Sequence, residues 1–342
     1  MKKKITIKDI AKMAEVSIGT VDRVIHKRGR VSEKALQKVN AALKELDYRP
    51  NPLARSLKNN VVYTITVLIP DPQKDPYWLP CKSSIEGVIK EYEAFDVDIS
   101  LFYFDPSVPS TLKDMGMELI YKKPDALLFV PLFEREGELL LRELDSMDTL
   151  VATFNSLPRA RVDHHVGQDL YLSGRVGAKL ISDFLRPDSN IAIVHIDESF
   201  NNSIHIQQKE QGFTSFFEEL GSVNKIFIKT LGTENIRTTL GDFIKEEKVD
   251  MFFVTNSKTY VVARTLESLD IDGIVVGYDL LPENVQLLRT GHIHFLINQA
   301  PGLQSSLSLK SLVEKLLFGK EPEKKQFLPI EIINSESIKS YP

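Results

Sequence analysis

The sequence predicts an α/β protein with a small N-terminal helical head followed by two doubly wound parallel sheets. Two observations support this prediction. The first 48 residues contain three short stretches with apolar residues at helical spacing. From residue 61 onward, apolar runs without polar alternation take turns with helical patterns, as in parallel strands covered on both faces. A chain of 342 residues is long enough for two or three domains.

The head is predicted to contain three helices. Thr6 begins the first, and Asp9 stands where it can complete a capping box. Ser17 is a suitable N-cap for the second helix, in which Val21 begins an apolar face continued by Val24 and Ile25. Ser32 begins the third helix. Its predicted inner face consists of Ala35, Leu36, Val39, Leu43 and Leu46.

The second helix has a polar outer face that suits a nucleic acid. Ile18, Gly19 and Arg23 lie away from its apolar stripe. A short helix of this kind fits the major groove of DNA. The guanidinium of Arg23 is suited to a guanine edge, with a purely phosphate contact as the alternative. Ile18 offers only apolar contact, for example to a thymine methyl group.

The charge distribution is asymmetric along the chain. Residues 1–60 contain 15 Lys and Arg against 6 Asp and Glu, a net charge of +9, and the remainder contains 28 against 41, a net charge of −13. A basic head on an acidic body is typical of phosphate binding by the head alone. Arg28 and Arg30, in the basic turn between the second and third helices, are predicted to contact phosphate; a solvated loop is the alternative.

The head resembles the LacI/GalR family of bacterial repressors. The similarity rests on residues 6–11 (TIKDIA), the Val16-Ser17 pair, residues 20–24 (TVDRV) and residues 48–57 (YRPNPLARSL). Two residues depart from the family pattern. Glu15 stands in the turn where glycine is usual, which predicts a turn that is strained or differently shaped, and Asp22 stands where serine is usual.

Residues 49–60 are predicted to form a hinge. Pro50 and Pro52 stop the third helix, and a helix of about five residues needs outside support. The resemblance implies that two such helices pair in the minor groove and that Leu57 wedges between base pairs; a linker residue touching the body is the alternative. The DNA-binding set implied by pattern and resemblance together is Thr6, Ser17, Ile18, Gly19, Thr20, Arg23, Arg28, Arg30, Asn51, Ala54, Arg55, Leu57 and Lys58.

The predicted domains are a DNA-binding head (1–48), a hinge (49–60) and a two-lobed body (61–342). Lobe one spans about residues 61–165 and lobe two about 187–297, with crossovers and a C-terminal return. The body resembles the periplasmic sugar-binding-protein fold through residues 166–174, 276–279 and 298–301. We therefore expect a homodimer on a pseudo-palindromic operator, with a small sugar effector bound between the lobes.

Polar and aromatic residues follow several predicted strands, where ligands of parallel α/β sheets bind. The candidate effector-binding residues are Tyr77, Trp78, Asn155, Gln168, Asp169, Gln207, Asn256, Asp279 and Gln299. The alternative is that each caps a helix or turn. Gln207 stands where many relatives have arginine, which favours a neutral sugar, although Lys209 or Arg159 can supply a cation.

Other classes of protein are disfavoured. His164, His165, His292 and His294 have no third ligand at zinc-site spacing, so we expect no metal. No glycine-rich phosphate loop occurs, so we expect no cofactor and no enzyme on a Rossmann-like fold. No membrane-length apolar run and no export signal are visible, which predicts a cytoplasmic protein. An exported sugar-binding protein without a transcriptional role stays the alternative. The sequence leaves open the sugar, the operator and the sign of the response.

Overall fold

A computed structural model describes residues 6–25, 31–46, 62–198 and 200–341. The chain forms two compact units, residues 1–60 and residues 61–342. The candidate DNA contacts of the basic turn and the hinge lie outside the described residues. These are Arg28, Arg30, Asn51, Ala54, Arg55, Leu57 and Lys58.

The head consists of helices α1 (Ile7–Ala14), α2 (Ile18–Ile25) and α3 (Glu33–Glu45) in its described part. One fully buried residue from each helix meets in its core: Ile10, Val21 and Val39. The predicted capping box is present, since the backbone amide of Thr6 donates to Asp9 at 2.8 Å and the amide of Asp9 donates back at 3.4 Å. The apolar spacing therefore gives the expected three-helix core.

Glu15, in the turn after α1, and Leu36, in α3, bear on two further predictions for the head. Glu15 adopts a left-handed backbone conformation with φ 53°, as predicted for a non-glycine residue in this turn. Its carboxylate accepts a hydrogen bond from Lys38 at 2.8 Å. The expectation for Leu36 was wrong: it is 41% exposed, because the buried face of α3 runs through Val39 and Ala42.

The body contains two six-stranded sheets. The first has the order β11-β5-β4-β3-β1-β2, and the second has the order β12-β10-β9-β8-β6-β7. Every pairing is parallel except that of β10 with β12. The strands are β1 Tyr63–Pro70, β2 Val97–Phe104, β3 Ala126–Phe129, β4 Leu150–Asn155, β5 His164–Gly167, β6 Asn190–Ile196, β7 Ile226–Leu231, β8 Val249–Val254, β9 Ile274–Tyr278, β10 Phe295–Asn298, β11 Lys325–Phe327 and β12 Glu331–Ile333.

Helices cover both faces of each sheet. They are α4 Leu79–Tyr92, α5 Pro109–Tyr121, α6 Glu134–Leu144, α7 Leu170–Ser182, α8 Ile204–Leu220, α9 Ile236–Glu247, α10 Thr259–Ser268, α11 Pro282–Arg289 and α12 Pro301–Phe318. Strand β1 shows why its sequence is an unbroken apolar run: Val67 and Ile69 enter one core while Leu68 enters the core on the opposite face. Burial on both faces is the physical basis of the doubly wound fold that the sequence predicts.

The chain crosses between the two sheets more than once. Helix α7 packs in the core of the second sheet, whereas α12 returns to the core of the first. Strands β11 and β12 then add one edge strand to each sheet. Strands β5, β11 and β12 are only three or four residues long, and a 3₁₀ turn at Pro76–Trp78 precedes α4. Among the described residues, no helix has the length and apolar character needed to cross a membrane.

Candidate functional site

The main cavity of the body lies at the carboxyl ends of strands from both sheets and has a volume of about 640 Å³. Its walls come from the segments that follow β1, β2, β3 and β4 of the first sheet and β6, β8, β9 and β10 of the second. This is the edge at which ligands of parallel α/β folds bind. The cavity is large enough for a small organic ligand.

Six of the nine candidate effector-binding residues line this cavity. They are Tyr77, Trp78, Asn155, Asn256, Asp279 and Gln299. Three do not line it. Gln168 donates to the backbone oxygens of Asn298 and Pro329 at 2.9 and 2.8 Å, and Asp169 caps α7 by accepting from the amide of Leu172 at 2.9 Å. Gln207 lies on α8 and is outside the lining. Asp169 therefore caps a helix, as the alternative predicts, whereas Gln168 connects two distant backbone segments.

A chain of hydrogen bonds joins the two sides of the cavity through Gln304, which is 1% exposed. The side chain of Asn155 donates to the Tyr77 hydroxyl at 2.8 Å, and its backbone amide donates to Gln304 at 3.0 Å. Gln304 donates to the Gln299 carbonyl at 2.6 Å, and the Gln299 side chain donates to Asp279 at 2.7 Å. A fully connected buried network of this kind fixes the orientation of each member.

Asp279 is a buried acceptor in the cavity wall, only 2% exposed. Burial raises its pKa to about 6, while Lys209 and the hydrogen bonds from Gln299 oppose the rise. The backbone amide of Gln299 donates to Oδ1 at 3.1 Å and its side-chain amide to Oδ2 at 2.7 Å. Each carboxylate oxygen keeps further acceptor capacity, so one ionised Asp279 is able to accept two ligand hydroxyls.

Lys209 provides a buried cation in the same wall, with 1% of its surface exposed. Its Nζ donates to the backbone oxygen of Thr255 at 2.9 Å and lies 3.6 Å from the ring centroid of Tyr278. Burial lowers its pKa to about 8, and the charges of Asp279 and Glu198 oppose the drop. Of the two cations that the sequence analysis considered, Lys209 lines the cavity, whereas Arg159 lies elsewhere and pairs with Glu134 at 2.9 Å.

A second polar group in the wall consists of Glu198, His205 and Asn256. Glu198 pairs with His205 Nε2 at 2.7 Å and accepts from the Asn256 side chain at 2.8 Å. Burial acts to raise the pKa of Glu198, but the charge and hydrogen bond of His205 and the bond from Asn256 lower it to about 2. Glu198 is therefore ionised in the neutral range, and Nδ1 of His205 has no hydrogen-bond partner among the described residues.

The two aromatic candidates, Tyr77 and Trp78, both line the cavity. Tyr77 and Trp78 pack edge to face with centroids 4.8 Å apart, and they are 6% and 2% exposed. Burial raises the pKa of Asp75 and the neighbouring Trp78 indole opposes the rise, although Trp78 Nε1 has no acceptor in hydrogen-bonding geometry within the described chain.

Three residues of the wall hold left-handed backbone conformations at the ends of strands. Asn155, Asp197 and Asp279 have φ values of 70°, 55° and 66°. Such conformations are costly for residues other than glycine, and asparagine and aspartate tolerate them best. Each lies within the cavity lining, so the strained turns aim polar side chains at the space between the sheets.

Several lining residues were absent from the candidate set, among them Asp75, Glu198, His205 and Lys258. Asp75 precedes Tyr77 by two residues, and Lys258 follows Asn256 by two, so a wider reading of each strand-end loop would have included both. Lys258 pairs with Asp197 at 2.8 Å. Nothing local in the sequence marks Glu198 and His205 as partners, because they meet across a turn.

The histidine pairs considered for metal have other surroundings. His164 and His165 are buried in β5, where His165 contacts the Thr153 hydroxyl at 3.0 Å. Burial lowers the pKa of His165 to about 3. The described residues contain no cluster of three or more His, Cys, Asp or Glu side chains arranged to hold a metal ion.

The head presents the expected face of α2. Ser17 caps the helix by accepting from the Thr20 amide at 3.1 Å, and Ile18 is 50% exposed. Gly19 and Arg23 are exposed beside it, while Val21 is fully buried on the opposite side. Thr6, at the start of α1, is exposed and bonded to Asp9. The outward residues of α2 therefore form one continuous surface that a DNA groove is able to accept.

Two family models match this chain. The model of the periplasmic binding protein domain matches residues 65–321, and the model of bacterial regulatory proteins of the lacI family matches residues 6–51. This chain is a LacI-family protein with a periplasmic-binding-protein domain. The LacI match covers the three-helix head, and the second match covers most of the two sheets and the cavity between them.

The LacI-family protein also has curated and structural relatives. A ribose operon repressor from Halalkalibacterium halodurans is 28% identical over 217 residues, which are 63% of this chain and 60% of that protein. Another, from Escherichia coli, is 38% identical over 126 residues, 36% of each chain. This chain thus covers less than two thirds of either relative. The structure of a candidate LacI transcriptional regulator from Bacteroides fragilis has 26% identity and a TM-score of 0.77, covering 82% of this chain and 99% of that one.

Proposed function

We propose that this LacI-family chain is a sequence-specific DNA-binding regulator of carbohydrate-utilisation genes, acting as a repressor in the cytoplasm. The observation that supports it most is the exposed face of α2, with Ile18, Gly19 and Arg23 on one side of a packed three-helix head. The same chain carries a cavity whose carboxylates and amides suit the hydroxyls of a small sugar. Relatives named as ribose operon repressors agree with this class of function.

The mechanism follows from joining these two parts in one chain. Two copies form a homodimer, and each head docks on one half-site of a pseudo-palindromic operator. The effector binds Asp279, Gln299, Asn155 and Asn256 between the sheets, and it binds one arrangement of the lobes better than another. That difference in affinity shifts the population between operator-competent and operator-incompetent dimers.

Selection of duplexes from a random library by the purified full chain tests the DNA-binding part. We expect enrichment of a near-palindrome and a steep fall in affinity with salt, because phosphate contacts release counterions. Arg23→Ala is expected to weaken operator binding about tenfold or more, since a good base-edge contact contributes roughly 1–3 kcal/mol. Arg142→Ala, at an exposed position of α6 in the body, is the matched control.

The outcomes separate the proposal from its alternatives. Failure to enrich any duplex, or equal losses in the Arg23 and Arg142 variants, would contradict a DNA-reading head. Sugar binding without DNA binding would instead favour a sugar-binding protein with no transcriptional role. Turnover of a bound sugar would favour an enzyme.

A further inference from the structure

A second cavity adjoins the main cavity and has a volume of about 550 Å³. Lys74, Asp75, Asp197 and Lys258 line both spaces, so the two lie side by side along these four residues. We call the main cavity the inner chamber and the second space the outer chamber. None of the candidate effector-binding residues from the sequence lies in the outer chamber.

The residues shared by the two chambers form a polar waist. Lys258 and Asp197 pair at 2.8 Å, and Lys74 pairs with Asp105. Asp75 accepts from the amide of Tyr77 at 3.1 Å, and burial raises the pKa of its carboxyl. A waist of this composition is able to bind hydroxyls or a bridging oxygen without demanding a charged ligand.

The outer chamber has an aromatic and apolar wall. The guanidinium of Arg264 lies over the Tyr260 ring, 5.4 Å from its centroid, and Pro76, Ile236 and Leu281 complete the apolar lining. Flat apolar surfaces beside hydrogen-bonding groups suit the face of a sugar ring, whose C–H groups pack while its hydroxyls bond. The outer chamber thus places apolar surface next to the polar waist.

The charges of the outer chamber argue for a neutral occupant. Its lining contains three cations, Lys74, Lys258 and Arg264, and three carboxylates, Asp75, Asp197 and Glu283. Two of the cations are already paired. A phosphorylated extension would therefore meet no net positive field, whereas an uncharged sugar unit meets donors and acceptors in balance.

From these observations we propose that the effector is longer than one sugar ring. It is a neutral disaccharide or glycoside, with one ring in the inner chamber, its glycosidic bond at the waist, and the second unit against Tyr260 in the outer chamber. This inference rests on the proposed sugar-responsive function and specifies the class of its ligand.

Calorimetric titration of the full chain with matched sugars tests the inference. The panel contains the monosaccharides D-ribose, D-glucose and D-galactose, the methyl glycoside of each, and the disaccharides maltose, cellobiose, lactose and melibiose. We expect at least one disaccharide to bind the unaltered protein tenfold or more tightly than either of its component sugars. Equal or weaker binding of every disaccharide than of a bound monosaccharide would overturn the inference and leave the proposed function intact.

Substitutions in the outer chamber test whether the preference for the disaccharide depends on Tyr260 and its neighbour Arg264. Tyr260→Ala is expected to remove the tenfold preference for the disaccharide while leaving monosaccharide affinity within about twofold, and Tyr260→Phe is expected to retain the preference because the ring remains. Tyr121→Ala, at an 87% exposed position, is the matched control. Arg264→Ala, on the exposed side of α10, tests the same wall should the alanine variant of Tyr260 unfold.

The remaining outcomes of these titrations also test the inference. Loss of mono- and disaccharide binding in equal proportion in folded Tyr260→Ala or Arg264→Ala would place the second ring elsewhere and refute the inference. Tighter binding of a sugar phosphate than of every disaccharide would refute it as well. Binding of no sugar in the panel by the unaltered protein would contradict the proposed function itself, together with this extension of it.

Discussion

Gly174 of α7 lies against the backbone carbonyl of Lys209 in α8, so closely that a Cβ on Gly174 would come within 2.0 Å of the carbonyl oxygen. No real Cβ tolerates such a contact with backbone. The two helices therefore cross at a separation that only glycine permits. This crossing fixes the position of Lys209 in the wall of the inner chamber. The same contact makes the position of a cavity cation depend on a residue outside the cavity.

We expect Gly174→Ala to destabilise the protein by about 1–3 kcal/mol, because the backbone of α8 has to move to admit the methyl group. The measurement is chemical unfolding followed by circular dichroism. Gly87→Ala in α4 is the matched control, since no atom lies within 4 Å of its added Cβ. The control should be neutral or stabilising by up to about 1 kcal/mol through helix propensity. Similar effects in the two variants would show that the helix crossing has room to relax.

Asp279→Asn is expected to weaken effector binding by roughly tenfold to a hundredfold, because hydrogen bonds to a charged acceptor contribute about 1.5–3 kcal/mol each. Calorimetric titration with the tightest sugar measures the change. Asp169→Asn makes the same chemical change at a residue outside the cavity, and asparagine keeps the ability to cap α7. An unchanged affinity in Asp279→Asn would remove this carboxylate from the site.

Effector affinity is expected to fall in acid. The pKa of Asp279 is raised to about 6, so below that pH its carboxyl becomes protonated and loses acceptor capacity. The dissociation constant should rise about tenfold between pH 7 and pH 5, since binding to the ionised form alone loses tenfold per pH unit once the carboxyl is protonated. The same titration with Asp279→Asn should be flat over this range. A pH dependence that survives the substitution would assign the titration to another group.

The raised pKa of Asp279 is expected to affect the stability of the unliganded protein in the direction opposite to its effect on effector affinity. The pKa of Asp279 is higher in the folded than in the unfolded chain, so between about pH 4 and pH 6 the folded state binds the extra proton. The contribution of Asp279 to the free energy of unfolding is therefore largest below pH 4 and is lost as the pH rises through 6. Comparing the melting temperatures of the unaltered protein and Asp279→Asn over pH 4–7 measures it: the variant should become relatively more stable as the pH rises.

Glu15→Gly should stabilise the head. The residue holds φ 53°, which costs a non-glycine residue roughly 1–2 kcal/mol, and its exposed ion pair with Lys38 contributes little in return. Amide hydrogen exchange of α1 and α2 in the full chain is expected to slow by about fivefold or more. Lys38→Ala isolates the loss of the ion pair and should change exchange only slightly. Faster exchange in Glu15→Gly would show that the turn is not strained.

The sequence predicts the parts of this molecule that depend on local pattern. Unbroken apolar runs predict central strands such as β1, because burial on both faces favours apolar residues at nearly every position. The short strands β5, β11 and β12 carry no such signal, since they form only when the crossovers bring them beside existing strands. Residues at the ends of central strands, such as Asp279 and Asn155, were accordingly easier to anticipate than those on returning segments.

Most candidate residues at strand ends line the cavity, whereas the positions that depend on tertiary packing were not predictable from local sequence. In the sequence, Lys209 is only one polar residue of a helix. Its burial follows from the close approach of α7. Gln168 resembles a site residue by its neighbours, yet its amide holds the backbone of Asn298 and Pro329. Gln304 ties Asn155 to Gln299 from inside α12, where nothing in the local pattern distinguishes it from a core glutamine.

The segment that contains β11 and β12 gives one edge strand to each sheet within a few residues of chain. A frameshift or nonsense codon just upstream of this segment would therefore damage both halves of the body at once rather than trim one of them. Genetic screens for inactive alleles should recover such late lesions as complete loss-of-function mutants, although they leave the codons for the head and most of the body untouched.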